Sequence, residues 1–165
     1  MSRKKLFEKE QSNIGKLGEK VALLYLKKNQ YKIIQSNFYN RKGKRLGEID
    51  IIAQKNNKII FIEVKSRLIK NAFNFYILPE ENINVNKIHR LQKIIHYYLF
   101  QTQQENIPWQ LDAISVWISF EKNISNKIKN HFLNQNNIYY MPIRSFLFKK
   151  TKAHCWVKHL KSIFI

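Results

Sequence analysis

Two β-strand patterns joined by a short polar turn constrain the fold of this chain more than any other feature. Residues 47–67 read GEIDIIAQKNNKIIFIEVKSR, in which isoleucine, valine and phenylalanine recur on both sides of KNNK. β-Branched and aromatic residues favour strands, and asparagine tolerates the left-handed backbone angles that tight hairpin turns require. The sequence therefore predicts a β-hairpin with strands at about 48–54 and 58–65.

A two-residue turn at 56–57 fixes the register of this hairpin, with Lys55 opposite Lys58. Continued outward, that register places Asp50 opposite Glu63. Side chains alternate between the two faces of a strand, so the acidic residues share one face and the apolar residues the other. We expect the apolar face to supply core through Ile49, Ile51, Ile60, Ile62 and Val64.

The acidic face consists of Glu48, Asp50, Glu63 and Lys65, with Glu48 opposite Lys65. Directly opposed carboxylates, with β-carbons about 5 Å apart, repel by roughly 3 kcal/mol at an effective dielectric of about 20. A magnesium ion would relieve this repulsion, since it is usually held by one or two carboxylates with phosphates and waters. The alternative is a solvated face, on which Lys65 forms weak ion pairs with Glu63 and Glu48.

The rest of the chain supplies helices and further strands for a mixed α/β domain. Apolar residues at helical spacing predict helices at about 13–28 and 85–101. Strands are predicted at 31–40 and 110–120, and a short strand or helix at 126–135. We therefore expect a central mixed sheet with flanking helices.

Domain boundaries follow from a change in composition near residue 136. Residues 1–136 are assigned to the α/β domain, with 1–11 expected to be loose, and 137–165 to a basic, aromatic C-terminal extension. Within the extension, the spacing of Trp156, Leu160 and Ile163 predicts one stripe of an amphipathic helix that packs on the domain or frays.

The charge balance points to a polyanionic partner. The chain has 30 Lys and Arg against 11 Asp and Glu, which gives a formal net charge of +19 and a pI of about 10.1. Nucleic acid is the first candidate and an anionic membrane surface the second. The single cysteine, Cys155, excludes an intramolecular disulfide, and the first residues lack the apolar run of a signal peptide. We expect a cytoplasmic protein with no transmembrane segment.

The acidic motif resembles a known catalytic core. Asp50 followed by Glu63, Val64 and Lys65 matches the PD-(D/E)xK pattern of restriction-endonuclease-like nucleases. A longer match is similar to the YraN-like family of small bacterial proteins, which resembles archaeal Holliday-junction resolvases. It consists of GEKVALLYLKKNQYKIIQSN, GEIDIIA, FIEVKSR and VNKIHRLQKIIHYYL, in that order. The resemblance covers about residues 13–120, with 135 as its outer limit, and implies a restriction-endonuclease-like core.

The resemblance also implies a magnesium-dependent phosphodiesterase site. Carried over by position, Asp50 and Glu63 would be the metal carboxylates, the backbone carbonyl of Val64 would add a ligand, and Lys65 would be the catalytic lysine. Glu19 matches the acid that completes the site in the resolvase-like relatives. Its structural alternative is an ion pair with Lys16, one helical turn away.

Two further acids, Glu48 and Asp112, are not assigned as metal ligands. Glu48 either supports the metal ligands or pairs with Lys65. Asp112 lies in QLDAIS, where the family usually has an arginine at the place of Gln110, and we assign it a structural role. The segment after EVKSR also departs from the family pattern, because it lacks the expected glycine.

Together these features predict a metal-dependent nuclease that uses Mg²⁺ or Mn²⁺ to hydrolyse DNA, which is favoured over RNA. Branched and single-stranded DNA are among the candidate substrates. A homodimer is compatible with the sequence. One alternative is a non-catalytic nucleic-acid-binding protein with the same fold, and another is a membrane-surface protein that binds through residues 137–165. The residues expected to hold nucleic-acid phosphates are Arg41, Lys42, Lys44, Arg45 and Arg67.

Overall fold

A computed structural model describes residues 3–40, 43–70, 79–82, 84–121, 137–144 and 152–163 of the 165-residue chain. Within these residues there are two α-helices, α1 (Arg3–Lys28) and α2 (Val85–Gln101), and a 3-10 turn at Pro79–Asn82. The strands are β1 (Lys32–Tyr39), β2 (Glu48–Lys55), β3 (Lys58–Leu68), β4 (Trp109–Ser119), β5 (Ile138–Arg144) and β6 (Lys152–Leu160).

The strands form one mixed sheet in the order β1-β2-β3-β4-β6-β5. Strands β3 and β4 are parallel, and every other neighbouring pair is antiparallel. Helix α1 packs in one hydrophobic cluster and α2 in another, each with its own set of sheet residues. This confirms the predicted mixed α/β fold, an architecture consistent with a restriction-endonuclease-like core.

Helix α1 lies directly against β3 because Gly18 has no side chain. A Cβ atom on Gly18 would lie 2.4 Å from the Cβ of Ser66. The Ser66 hydroxyl donates a hydrogen bond to the carbonyl of Ile14 at 3.1 Å. This close contact fixes the position of Glu19, the next residue along α1, relative to the end of β3.

The hairpin register is confirmed where β2 and β3 are paired. Lys55 pairs with Lys58, and the pairing continues to Ile51 and Ile62. The turn residues at 56–57 have φ of 51° and 57°, the left-handed conformation that asparagine tolerates. The pairing of β2 with β3 ends one residue pair before Asp50 and Glu63, which the predicted register places opposite each other.

The predicted face of Ile49 is wrong. Ile49 packs in the α2 cluster, whereas Ile51, two residues later, packs in the α1 cluster. Pairing with β3 has ended at this point, whereas pairing with β1 continues, with Phe38 opposite Ile49. Asn37, between the β1 partners of Ile51 and Ile49, has a φ of 52°, so the β1–β2 ladder is irregular here.

Helix α1 begins at Arg3, ten residues before the predicted start at Asn13, and so takes in most of the segment expected to be loose. Near its beginning, Glu10 forms an ion pair of 3.1 Å with Lys70, which follows β3. Strand β3 itself runs to Leu68, beyond its predicted end. The predicted element at 126–135 lies outside the described residues.

The helix predicted in the C-terminal extension is wrong. Residues Lys152–Leu160 form β6, which pairs with β4 inside the sheet, and β5 pairs with the other edge of β6. Trp156 is only 1% exposed. A strand buried on both faces reads as a continuous apolar run, which periodicity alone does not separate from a buried helix.

Side chains of the extension also contact the rest of the domain, since Lys158 Nζ lies 2.7 Å from Glu80 Oε1. Among the described helices, none is long and apolar enough to span a membrane.

Candidate metal and phosphate site

Asp50 lies where β2 and β3 separate. Its Oδ2 accepts a hydrogen bond of 2.7 Å from the backbone N–H of Val64. Burial raises the pKa of Asp50 to about 7, with a further contribution from repulsion by Glu63, while the Val64 hydrogen bond opposes the rise. A carboxyl group perturbed by burial and a neighbouring charge is a candidate functional group.

Glu63 is a buried carboxylate, only 1% exposed. Its Oε1 accepts contacts from Lys65 Nζ at 2.6 Å and Lys87 Nζ at 3.0 Å. Its Oε2 is also buried and has no hydrogen-bond partner among the described residues. The solvated-face alternative is therefore wrong for Glu63. A charge this deeply buried requires compensation, which the two lysines supply.

Lys87, in the first turn of α2, is a site residue that the sequence reasoning missed. The sequence did carry a signal for Lys87. The first turn of α2 contains no acidic residue, and two cations, Lys87 and Arg90, lie close to the start of the helix. Cations at the positive end of a helix are unfavourable. Such a placement indicates that an anion lies nearby, and here one anion is Glu63.

Glu19 lies at the margin of this group. Burial raises its pKa, and repulsion by Glu48 and Glu63 adds to the rise, whereas a hydrogen bond with the Asn37 side chain lowers it. Attraction to Lys16 also lowers it. Glu19 is therefore within electrostatic reach of both the acidic site and its structural alternative partner.

The acids do not form a preassembled cage. In the part of the chain that the structure describes, no three Asp, Glu, His or Cys side chains are grouped closely enough to hold a metal ion. Glu48 pairs with Arg45 at 2.7 Å in an exposed ion pair, so its partner is not the predicted Lys65. Asp50 and Glu63 are the two acids that the fold brings together at the strand separation.

The basic loop before β2 is ordered by Asn40. The Asn40 side chain donates to the carbonyl of Lys44 at 3.0 Å and accepts from the N–H of Leu46 at 2.9 Å. Lys44 and Arg45 are exposed. The predicted phosphate contacts Arg41 and Lys42 lie outside the described residues.

Two grooves adjoin the site. The larger, about 530 Å³, is lined by Lys65 and Arg67 of β3 together with residues of α1. The smaller, about 270 Å³, is lined by Arg45, Lys87 and Arg90, with Glu48 as its acidic member. Both lysines that contact Glu63 therefore also face open grooves.

Asp112 is fully buried in a separate network. One of its oxygens lies 2.8 Å from His159 Nε2, and the other accepts hydrogen bonds of 2.8 Å from the Gln110 side chain and the Ser162 N–H. This network joins β4 to the end of the chain. It supports the structural role predicted for Asp112.

The fold and this site define a mixed α/β domain with two acids and two lysines gathered at the point where a hairpin opens. The chain belongs to the uncharacterised protein family UPF0102, whose family model matches residues 18–116. This confirms the predicted membership of the YraN-like family. The matched span contains Glu19, Asp50, Glu63, Lys65 and Lys87, and it ends before β5 and β6.

Relatives in several bacteria show the same family. A UPF0102 protein of Caldanaerobacter subterraneus subsp. tengcongensis is 36% identical over 121 residues, which is 73% of this chain and 92% of the relative. A UPF0102 protein of Clostridium beijerinckii is 39% identical over 114 residues, 69% of this chain and 86% of the relative. One from Aliarcobacter butzleri is 38% identical over 102 residues, 62% of this chain and 84% of the relative.

Proposed function

We propose that this protein is a metal-dependent nuclease of the restriction-endonuclease-like superfamily, similar to Holliday-junction resolvases, that hydrolyses phosphodiester bonds in DNA. The observation that carries the proposal is the buried Glu63 carboxylate. It lies beside Asp50 and between two lysines, and its Oε2 has no partner among the described residues. A purely structural carboxylate would be expected to have both oxygens satisfied.

The residues present fit Mg²⁺ or Mn²⁺. Carboxylates of Asp50 and Glu63 and the carbonyl of Val64 are oxygen donors, the type that hard cations prefer. Magnesium usually retains waters and uses one or two carboxylates with substrate phosphates, so a two-carboxylate site completed by substrate suits it. When bound, such an ion activates water and stabilises charge on phosphate oxygens. Glu19 is the candidate additional ligand. Glu48 would support the metal ligands without binding the ion itself.

The side chains of the protein have separate tasks in this mechanism. Asp50 must lose its proton to bind a cation, and its raised pKa means that this loss occurs near neutral pH. Lys65 Nζ, on a side chain that is 30% exposed, can leave Glu63 and donate to a phosphate oxygen. The Val64 N–H keeps the Asp50 carboxylate oriented throughout.

Basic residues around the site bind the nucleic-acid backbone. Lys44 and Arg45 present exposed charge beside β2, and Arg67 lines the larger groove next to Lys65. Arg41 and Lys42 belong to the same basic loop in sequence. The net charge of +19 adds long-range attraction to a polyanion.

The test is cleavage of a labelled substrate panel. Duplex, single-stranded and four-way-junction DNA, with RNA counterparts, are incubated with the protein and Mg²⁺ or Mn²⁺. We expect metal-dependent cleavage of DNA that Asp50→Asn and Lys65→Ala each abolish, while binding changes by no more than a few-fold. Lys93→Ala, at an exposed position of α2, is the matched control and should cleave normally. Full activity in Asp50→Asn or Lys65→Ala would overturn the assigned site.

A second candidate function is a non-catalytic nucleic-acid-binding protein that retains this fold. The observation that favours it is that Lys65 and Lys87 already compensate the Glu63 charge without a cation. This alternative predicts nucleic-acid binding that is unaffected by Mg²⁺ or Mn²⁺ and no cleavage of any substrate in the panel.

A further inference from the structure

Two separate grooves meet the same carboxylate oxygen through different lysines. Lys65 comes from β3 and lines the groove of about 530 Å³, whereas Lys87 comes from α2 and lines the groove of about 270 Å³. Among the described residues, the two grooves have no lining residue in common. Glu63 Oε1 lies 2.6 Å from Lys65 Nζ and 3.0 Å from Lys87 Nζ, so one buried carboxylate links the walls of the two grooves.

The smaller groove has a net positive wall. Its charged lining residues are Arg45, Lys87 and Arg90 against Glu48, and Glu48 is already paired with Arg45 at 2.7 Å. The Lys87 side chain is 27% exposed, so it reaches solvent as well as Glu63. Lys87 shares the single Glu63 carboxylate with Lys65, so Lys87 and Arg90 together give this groove a net positive wall.

The positive charge of Lys87 also attracts the Asp50 carboxylate and so opposes, in part, the rise in the pKa of Asp50 that burial causes. A divalent cation on Asp50 and Glu63 would balance both carboxylates. Lys87 and Lys65 would then be left to pair with other anions, and each already faces a groove. Phosphate is the anion that the proposed substrate brings.

We propose that Lys87 contacts a phosphate of the nucleic acid in the smaller groove, so that one strand runs from the Lys65 groove past Glu63 into the Lys87 groove. This proposal rests on the proposed function for its substrate class. It adds a backbone contact that comes from α2 and lies outside the PD-(D/E)xK motif. Arg45 and Arg90 line the same groove as Lys87.

The experiment measures the salt dependence of binding, which does not require cleavage. Fluorescence anisotropy with labelled single-stranded and duplex DNA is recorded across a salt series with Ca²⁺ in place of Mg²⁺, and gels confirm that the DNA stays intact. Lys87→Met removes the charge and keeps the length of the side chain. Lys87→Arg keeps the charge. Lys93→Met, on an exposed part of the same helix, is the matched control.

Loss of one phosphate contact should reduce the slope of log affinity against log salt by about 0.7 on single strands or about 0.9 on duplex. We expect this reduction in Lys87→Met, wild-type slope in Lys87→Arg, and no change in Lys93→Met. Melting curves establish that each variant is folded, and Lys87→Gln replaces Lys87→Met if the latter is not.

Equal slopes for wild type and Lys87→Met would overturn the proposal and leave Lys87 as a counterion of Glu63 alone. The same measurements separate a failure of the Lys87 contact from a failure of the proposed nuclease activity. A protein that binds DNA with a Lys87-dependent slope but cleaves nothing retains the contact and loses the activity. A wild-type protein whose binding is independent of salt overturns both.

Discussion

The Asp50 carboxylate accepts the backbone N–H of Val64 at 2.7 Å, just past the last paired residues of β2 and β3. One side chain thus serves both as an acceptor for a main-chain donor and as a candidate ligand. A substitution at Asp50 can therefore be chosen to remove the charge while keeping the acceptor.

Asp50→Asn should be more stable than Asp50→Ala at pH 8 without metal, because both variants lose the charge and only asparagine keeps an acceptor for the Val64 N–H. Asparagine retains an oxygen for the Val64 N–H and removes the repulsion with Glu63, so its free energy of unfolding should equal or exceed that of wild type. Alanine leaves the N–H without its partner, at a cost of about 1–3 kcal/mol. Urea denaturation of the three proteins measures this, and equal destabilisation in both variants would contradict it.

Stability without metal should fall as pH rises from about 4 to about 7. The folded protein holds the Asp50 proton up to about pH 7, whereas the unfolded chain loses it near the ordinary aspartate pKa of 3.8. The folded state therefore binds more protons in this window, and raising the pH favours unfolding, by on the order of 4 kcal/mol for this group. Asp50→Asn lacks the effect, so its stability relative to wild type should increase between pH 5 and pH 8. A difference between the two proteins that does not change with pH would contradict the prediction.

Gly18→Ala should destabilise the protein, whereas Gly15→Ala should not. A Cβ at Gly18 would lie 2.4 Å from the Ser66 Cβ, while a Cβ at Gly15 meets nothing within 4 Å. Overpacking of this kind costs about 1–3 kcal/mol. At Gly15 the helix gains up to about 1 kcal/mol from the better propensity of alanine. Thermal melting of the pair checks the close packing of α1 on β3, and similar effects at both sites would argue against it.

Trp156→Ala should reduce stability by about 3–5 kcal/mol, as expected for a large side chain lost from a core. Trp156 is 1% exposed on β6, between β4 and β5 in the sheet. An appended tail that only frays or binds membranes would predict a small effect. Chemical denaturation of wild type and Trp156→Ala decides between the two roles of the extension. Lys161→Ala, at an exposed position, is the matched control and should leave stability unchanged.

The hairpin and its acids were predictable because two local signals agree. The Asn-Asn turn fixed the register of the hairpin. The isoleucine pattern favoured the same register, because a slip of one residue would move the core isoleucines to the opposite face. That register brought Asp50 and Glu63 to the same end of the hairpin. The change of face between Ile49 and Ile51 was not predictable, because it depends on where the pairing of β2 with β3 stops.

Long-range contacts account for most of what the sequence did not reveal. Lys87 reaches Glu63 from a helix that begins more than twenty residues later, and only its unfavourable position near the helix start hinted at an anion. Strand β6 was missed because both of its faces are buried, which removes the alternation that identifies a strand. Glu19 was found through family resemblance, and its place beside the site depends on the contact at Gly18.

The central claim, that Asp50 and Glu63 bind a divalent cation, is tested most directly by melting wild type and Asp50→Asn with and without Mg²⁺ or Mn²⁺ at pH 8. The series is repeated with a phosphorothioate oligonucleotide present, so that a site completed by substrate is also detected. Metal at 100 times its dissociation constant should stabilise wild type by on the order of 2.7 kcal/mol and Asp50→Asn by much less. Equal shifts in the two proteins, or no shift in either under both conditions, would contradict it.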